Sequence, residues 1–148
     1  MTGFEEIFST FENFQVKYIV IGGHAMMYDC GPRFTKDIEI FIEVSPENSV
    51  RVFEALAQFG VPLAGMTADY FSEPGYVYQM GVPPLRIDVF MSLNGVDFET
   101  AWERRVRACL GEIEANVISR EDIIASKKAS GRPIDLHDVE QLEKRVQD

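Results

Sequence analysis

The sequence predicts an α/β fold of the α+β type, in which a mixed β-sheet of about five strands is flanked by helices. Segments with apolar residues at helical spacing alternate with short apolar or alternating segments that are typical of strands. No repeat, linker or low-complexity stretch divides the chain, and its 148 residues suit one hydrophobic core. We therefore expect a single domain over residues 1–148, with two last helices at about 120–147 packing as a C-terminal cap.

The first half of the chain alternates helices and strands. Five apolar residues at three- and four-residue steps predict an amphipathic opening helix: Phe4, Ile7, Phe8, Phe11 and Phe14. A short apolar strand over 17–21 ends at a Gly-Gly pair, and a brief helical segment over about 24–30 stops at Gly-Pro. A second strand over about 36–44 precedes Ser45-Pro46-Glu47. This triplet combines a cap, a proline and an early acid, so it begins a helix that ends at Gly60.

The second half begins with residues 61–74, which lack a hydrophobic period and indicate a loop or a mobile flap. Residues 76–80 and 85–92 predict a pair of hairpin strands. The remaining elements are predicted as a helix over 97–107, a strand over 113–118, a helix capped by Ser119 that ends at Ser130, and a last helix from Pro133.

Composition narrows the class of protein. With 46% hydrophobic and 26% charged residues the chain is typical of a globular protein, and its net charge of −10 argues against a broad electrostatic grip on nucleic acid. No apolar run reaches the roughly 20 residues that a membrane span needs, and the acidic, amphipathic N-terminus does not resemble a secretory signal. Cys30 and Cys109 lie far apart without metal-type spacing, which favours reduced thiols in a cytoplasmic protein with no membrane partner.

Acidic residues occur on one face of two predicted strands. Asp37 and Glu39 alternate with isoleucines and share a face with Phe41, because successive strand side chains point to opposite faces. The later strand has the same design, with Asp88 and Phe90 on one face. Adjacent pairing of the two strands would bring the three carboxylates together. Such a group needs cations to neutralise it, and its hard oxygen ligands suit Mg²⁺ or Mn²⁺.

A Gly-Gly pair stands between the first strand and the following predicted helix. Glycines at this point let backbone N–H groups approach a phosphate. A lone Gly-Gly is more often a tight turn, but here thirteen residues separate it from Asp-x-Glu, and a third acid follows on a later strand. Two metal ions bound by such acids can clamp the attacking and departing oxygens of a phosphoryl transfer.

This combination resembles the polymerase-beta-like nucleotidyltransferase superfamily, in particular small stand-alone bacterial and archaeal members of the toxin–antitoxin or abortive-infection type. Four further segments resemble that subgroup: Arg33-Phe-Thr-Lys-Asp, Pro84-x-Arg-Ile-Asp, Gly95-Val-x-Phe-x-x-Ala-Trp and Lys127-x-x-x-Gly-Arg-Pro-x-Asp-x-x-Asp. The resemblance covers most of the chain and implies the nucleotidyltransferase fold.

The resemblance also assigns roles to residues. It implies that Gly22 and Gly23 hold the nucleotide phosphates, and that Asp37, Glu39 and Asp88 are the catalytic, metal-binding carboxylates for two Mg²⁺ or Mn²⁺ ions. Glutamate at position 39 departs from the commoner aspartate.

Three more residues are candidates for nucleotide binding. Arg33 and Thr35 precede the acids, where a guanidinium and a hydroxyl could reach a triphosphate; an exposed Arg33 beside a Gly-Pro turn is an equal alternative. Lys127 lies partly along the buried stripe of its helix and needs an anion. Either a nucleotide phosphate or Asp135 would provide that anion, and we favour a structural ion pair between Lys127 and Asp135.

The resemblance implies an enzyme that moves an NMP from an NTP to an acceptor hydroxyl or phosphate and releases pyrophosphate. The acceptor, whether tRNA, protein or small molecule, stays open, and the partner could be a second copy or a small helical or regulator chain. The alternative is a non-catalytic nucleotide-binding module of a toxin–antitoxin pair. A metal-dependent phosphatase or nuclease is a third hypothesis.

The segment 61–74 is the predicted cover of the site. We expect it to be mobile without ligand and to order over Mg–NTP, with Tyr70 or Phe71 near the base. Apolar anchoring of the loop by these two rings is an equal alternative, and a second copy of the chain is the other candidate cover.

Overall fold

The sheet of this protein has six strands in the computed structural model, which describes residues 3–22, 37–75, 77–82 and 85–147. The strands are β1 (Tyr18–Ile21), β2 (Asp37–Ile42), β3 (Val77–Val82), β4 (Leu85–Phe90), β5 (Val106–Leu110) and β6 (Ile113–Val117). The helices within the described residues are α1 (Gly3–Asn13), α2 (Pro46–Phe59), α3 (Phe98–Arg104), α4 (Arg120–Ser130) and α5 (Pro133–Gln147), with a 3₁₀ helix at Ala68–Ser72. The mixed α+β class predicted from the sequence is confirmed.

The strands lie in the order β3-β4-β2-β1-β6-β5. β2 pairs parallel with β4 and antiparallel with β1, while β1 pairs parallel with β6. The two hairpins, β3–β4 and β5–β6, form the edges of the sheet. The predicted hairpin and the predicted adjacency of the acid-bearing strands are therefore both confirmed.

One face of the sheet is aliphatic and packs against the first two helices. Side chains of β2 and β4 that alternate with the acids are fully buried here: Ile38, Ile40, Ile42, Ile87 and Val89. On the same face the Tyr18 ring lies 6.4 Å from that of Phe8 and 5.5 Å from that of Phe11, both on α1. α2 packs beside α1, and its buried residues Val52, Ala55 and Leu56 belong to the same hydrophobic core.

α3 packs against the opposite face. The ring of Phe41 meets that of Phe98 on α3 edge to face at 5.0 Å, and Phe98 stacks on the half-buried Trp102. α4 and α5 pack against each other.

Helix boundaries follow the capping signals in the sequence. The Ser45 hydroxyl accepts a hydrogen bond from the Asn48 amide at 3.1 Å at the start of α2. Ser119 accepts one from the Asp122 amide at 3.2 Å at the start of α4. Each bond satisfies one of the amides that have no partner within the first helical turn. Both predicted helix starts are confirmed.

The predicted helix over 97–107 is wrong at its end. α3 stops at Arg104, and Val106 begins β5, which pairs antiparallel with β6. Arg105 makes the break: its backbone is extended, its guanidinium lies 3.7 Å from the centre of the Trp102 ring, and it donates to the Trp102 carbonyl at 2.6 Å. This strand raises the count from the expected five to six.

The predicted placement of 61–74 over the site is also wrong, and the alternative of an apolar anchor is confirmed for Phe71. Phe71, in the 3₁₀ helix, is fully buried, and its ring lies 5.9 Å from that of Tyr78. Ser49 of α2 donates to the Phe71 carbonyl at 3.1 Å. Because Tyr78 pairs with Val89 on the aliphatic face, the segment is anchored on the side of the sheet opposite the acids. Apolar burial fixes this segment although it lacks a helical period.

The brief helix expected at 24–30 lies outside the described residues. Within the described ranges, no helix combines the length and the apolar character required to cross a membrane.

Candidate active site

Two acidic residues stand side by side in the centre of the sheet. β2 and β4 are parallel neighbours, and their register places Glu39 directly opposite Asp88. The backbone of Asp37 is opposite that of Arg86, two residue pairs further toward the start of β2. The side chain of Asp37 lies outside the described part of the structure. Neighbouring strands are about 4.8 Å apart, so the two acids share one small area of the face.

The Glu39 carboxylate lies against the backbone of Gly22. Ile21 pairs with Glu39, which brings the turn after β1 beside that side chain. Gly22 has a φ of +73°, and a Cβ added to it would lie 1.4 Å from Oε2 of Glu39. Glycine is therefore required at position 22 both by the left-handed backbone and by the carboxylate that fills the space.

Asp88 is almost completely buried, with 5% of its surface exposed. The Nε of Arg86 donates to its Oδ1 at 3.2 Å, and the Arg86 side chain is itself half exposed. Residues two apart on a strand share a face, so this guanidinium lies on the carboxylate face. It compensates the buried charge of Asp88.

The donor chemistry of this area fits a hard divalent cation. Glu39 and Asp88 provide carboxylate oxygens alone, the ligand type that Mg²⁺ and Mn²⁺ prefer. Among the described side chains, which do not include that of Asp37, no group of three histidine, cysteine or acidic residues forms a metal-ligand cluster. Asp37 stands two residues before Glu39 in β2.

A cleft of about 160 Å³ opens between the carboxylate face and α4. Gly22, Glu39 and Phe90 line it from the sheet, and Ser126 and Lys127 line it from the helix. The turn predicted to hold phosphates, one predicted carboxylate and the predicted lysine thus meet in one space.

Lys127 is bound by two carboxylates at the mouth of this cleft. Its Nζ lies 3.0 Å from Oδ2 of Asp138 and 3.5 Å from Oδ1 of Asp135. The expected structural pair with Asp135 is confirmed, and Asp138 adds a second partner. Because 19% of the lysine side chain remains exposed and it lines the cleft, an anion there would also be within its reach.

Asp135 organises the connection between α4 and α5. It is 5% exposed and accepts hydrogen bonds from the Ser130 hydroxyl and, at 2.6 Å, from Nε of Arg132. The Ser130 bond, followed by the Arg132 bond and the charges of Lys127 and Arg132, holds the pKa of the Asp135 carboxyl below its usual value, against the opposing effect of burial.

Sequence reasoning missed part of the wall of the cleft. Ser126, Ser130 and Arg132 line it and were not singled out as site residues. The four-residue step between the two serines, on the helix that carries Lys127, was a usable signal. Three other predicted residues, Gly23, Arg33 and Thr35, lie outside the described residues.

The fold is shared with a known structure. A crystal structure of a Thermotoga maritima protein, assigned provisionally as a nucleotidyltransferase, aligns with a TM-score of 0.62 over 97% of this chain and 90% of its own, at 14% identity. An antigenic nucleotidyltransferase-like protein from Paracoccidioides brasiliensis aligns with a TM-score of 0.45 over 96% of this chain and 77% of its own, at 15% identity. That second score is too low to support a shared fold. No curated protein matches the chain.

The family is shown by the sequence itself. Residues 3–146 match the family described as "nucleotidyltransferase of unknown function (DUF6036)". The carboxylates on β2 and β4, the glycine turn and the motif around Lys127 all fall within the matched range. Since the match spans nearly the whole chain, the protein belongs to this family of nucleotidyltransferases.

Proposed function

We propose that this protein is a metal-dependent nucleotidyltransferase that moves an NMP from an NTP to an acceptor hydroxyl or phosphate and releases pyrophosphate. Membership of the family supports a general nucleotidyltransferase role. The observation that carries the proposal is the parallel register of Glu39 and Asp88 beside the glycine turn. It sets two carboxylates beside that turn, and Glu39 and Gly22 line the same cleft.

Each residue has a defined task in this proposal. Asp37, Glu39 and Asp88 would hold two Mg²⁺ or Mn²⁺ ions, which, when bound, neutralise charge on the phosphoryl oxygens. Gly22 and Gly23 would hold the β- and γ-phosphates through their amides. The acceptor oxygen bonds to the α-phosphorus as the bond to pyrophosphate breaks, and the proton of the acceptor passes to Asp88.

The acceptor would be a tRNA, a protein or a small molecule, and a second copy or a small helical regulator chain would be the protein partner. The fold does not select among them, because substrate choice depends on the surface around a site. Cytoplasmic action on NTP is part of the same proposal.

The test is transfer of label from α-³²P-NTP with Mg²⁺ to pools of tRNA, aminoglycosides and cell lysate. We expect Asp37→Asn, Glu39→Gln and Asp88→Asn each to lower transfer by about 10²- to 10³-fold, the range for loss of one charge-stabilising group. Glu54→Gln, an exposed acid of α2 on the other side of the sheet, is the matched control and should keep full activity.

The outcomes separate the candidate functions. Full transfer in Asp37→Asn and Asp88→Asn would overturn the proposal. NTP binding that is independent of Mg²⁺, with no turnover against any pool, would replace it with the non-catalytic module.

A further inference from the structure

A second and larger space is continuous with the cleft. This side chamber has a volume of about 420 Å³, against about 160 Å³ for the cleft. Five residues line both: Phe90, Leu93, Ser126, Ser130 and Arg132. Beyond them the side chamber extends to Gly75 and Val77 near the start of β3 and to residues 92–94 after β4. Pockets for small ligands are about 300–1,000 Å³, so of these two spaces the side chamber has the size for a bulky group and the cleft does not.

The lining of the side chamber suits an uncharged, partly aromatic group. Val77, Phe90 and Leu93 give it apolar surface, and four neutral polar side chains add hydrogen-bonding groups: Ser92, Asn94, Ser126 and Ser130. Among the described lining residues, Arg132 is the one charged side chain, and its guanidinium is already bonded to Asp135. A triphosphate would find little compensation for its charge here. A base and its ribose present instead a flat apolar face and neutral polar edges.

The walls of the side chamber are held in place by contacts among the lining residues and with their neighbours. The Gly75 amide donates to the Ser92 hydroxyl at 3.1 Å, which ties the start of β3 to the turn after β4. Within that turn Leu93 and Val96 form an isolated β-bridge. Gly95 packs so closely on α4 that an added Cβ would lie 2.7 Å from Cβ of Ala129. The side chamber is therefore preformed, which lowers the ordering cost of binding.

The register of the sheet places the side chamber at the correct end of a nucleotide. Gly22 follows Ile21, which pairs with Glu39. Because β1 and β2 are antiparallel, Gly22 is displaced from Glu39 toward Asp37, the start of β2. Phe90 lies on β4, two residues beyond Asp88, about 7 Å further along the strand in the other direction. The carboxylate pair is thus between the glycine turn and Phe90. A triphosphate with its tail on the turn and its α-phosphate at the carboxylates directs its nucleoside toward Phe90.

We propose that the side chamber is the nucleoside subsite, in which Phe90 stacks on the base and the amide of Asn94 reads the edge of the base. This inference rests on the proposed function, because that function sets the direction of the triphosphate. Asn94 is the single amide side chain among the described lining residues, and an amide offers both donors and an acceptor.

The experiment is calorimetry with Mg²⁺ on the full chain, using the four α,β-methylene NTPs and inorganic tripolyphosphate as probes. We expect Phe90→Ala to weaken NTP binding about 5- to 140-fold, the equivalent of roughly 1–3 kcal/mol of base stacking, and to leave tripolyphosphate binding unchanged. Phe90→Tyr should restore NTP affinity, because it keeps the aromatic face. Asn94→Ala should alter the order of preference among the four bases.

The matched control is Phe53→Ala on α2, which removes a half-buried phenylalanine from the other face of the sheet. It should lower stability and leave NTP binding unchanged. Equal NTP affinities in wild type, Phe90→Ala and Asn94→Ala would overturn the nucleoside subsite while the proposed function stands. A rise in acceptor KM without a change in NTP Kd would instead assign the side chamber to the acceptor. Absence of NTP binding by the unaltered chain would overturn both.

Discussion

At the scale of single residues, the structure shows how a glutamate side chain is accommodated at position 39. Its carboxylate reaches the Cα of Gly22 and occupies the space of the missing side chain. The extra methylene relative to aspartate, about 1.5 Å of chain, is thus accommodated by the glycine turn. The two positions have to be considered as a pair.

Replacement of Gly22 by alanine tests that pair. The new Cβ would displace the Glu39 carboxylate, so we expect Gly22→Ala to reduce label transfer about as much as Glu39→Gln does. We also expect it to lose more stability than the roughly 1–2 kcal/mol of left-handed strain alone. Gly65→Ala is the matched control, since Gly65 has a φ of +81° but no atom within 4 Å of an added Cβ.

The double variant Gly22→Ala/Glu39→Asp sharpens the test, because it withdraws the carboxylate by one methylene. We expect the double variant to recover label transfer and stability only in part, because Cβ of residue 39 would still lie 3.2 Å from the new Cβ. Equal losses of stability and transfer in Gly22→Ala and Gly65→Ala would contradict the steric pairing.

At the scale of elements, α4 and α5 are joined by a buried carboxylate. Asp135 binds Ser130 and Arg132 at the connection, and its charge also faces Lys127. These contacts lower the pKa of Asp135. Packing of the two helices as a C-terminal cap stays a prediction, and this joint is where it can be tested.

Asp135→Asn should destabilise the protein in a pH-dependent way. A carboxyl with a lowered folded-state pKa adds stability above its unfolded pKa of about 3.9, and this stability is lost as the pH falls through the folded-state pKa. At neutral pH we expect a loss of about 1.5–3 kcal/mol, as for hydrogen bonds to a charged group. Urea unfolding measures the free energy of unfolding of wild type and Asp135→Asn at pH 7 and at pH 3. The difference between the two proteins should be smaller at pH 3.

The control for this experiment is Glu140→Gln, which removes an exposed acid from the same helix and should leave stability nearly unchanged at both pH values. A difference between wild type and Asp135→Asn that stays constant with pH would show that the carboxyl does not titrate as described.

At the scale of the whole molecule, the two faces of the sheet have different tasks. The aliphatic face, under α1, α2 and the 3₁₀ helix, contains most of the large buried side chains and provides stability. The other face carries the cleft and the side chamber. Changes on the first face should therefore alter folding without altering the affinity for ligands.

Phe71→Ala tests this division. Removal of a fully buried phenylalanine should lower the free energy of unfolding by about 3–5 kcal/mol, while Mg–NTP affinity stays unchanged in the folded protein. Tyr70→Ala should lower the free energy of unfolding less than Phe71→Ala does, because Tyr70 is 38% exposed. Hydrogen exchange of 61–74 should be the same with and without Mg–NTP. Protection that rises on nucleotide binding would restore the lid that the structure contradicts.

The candidate site could be predicted to a large extent because its signals are local. Alternation along Asp37–Ile42 places the acids on one face wherever the strand pairs, and the equivalent alternation around Asp88 does the same for β4. The caps at Ser45 and Ser119 likewise act within one helical turn, so the starts of α2 and α4 were predicted correctly.

The sequence by itself thus determined the class of fold, most element boundaries and the side of the sheet on which the acids lie. The tertiary structure decided what depends on distant partners. β5 exists because β6 pairs with it, and the segment around Phe71 is anchored because the aliphatic face buries it. The position of the Glu39 carboxylate on Gly22 and the chamber beside Phe90 depend on strand order and helix packing. Periodicity in one segment does not contain that information, because each of these contacts joins residues that are far apart in the chain.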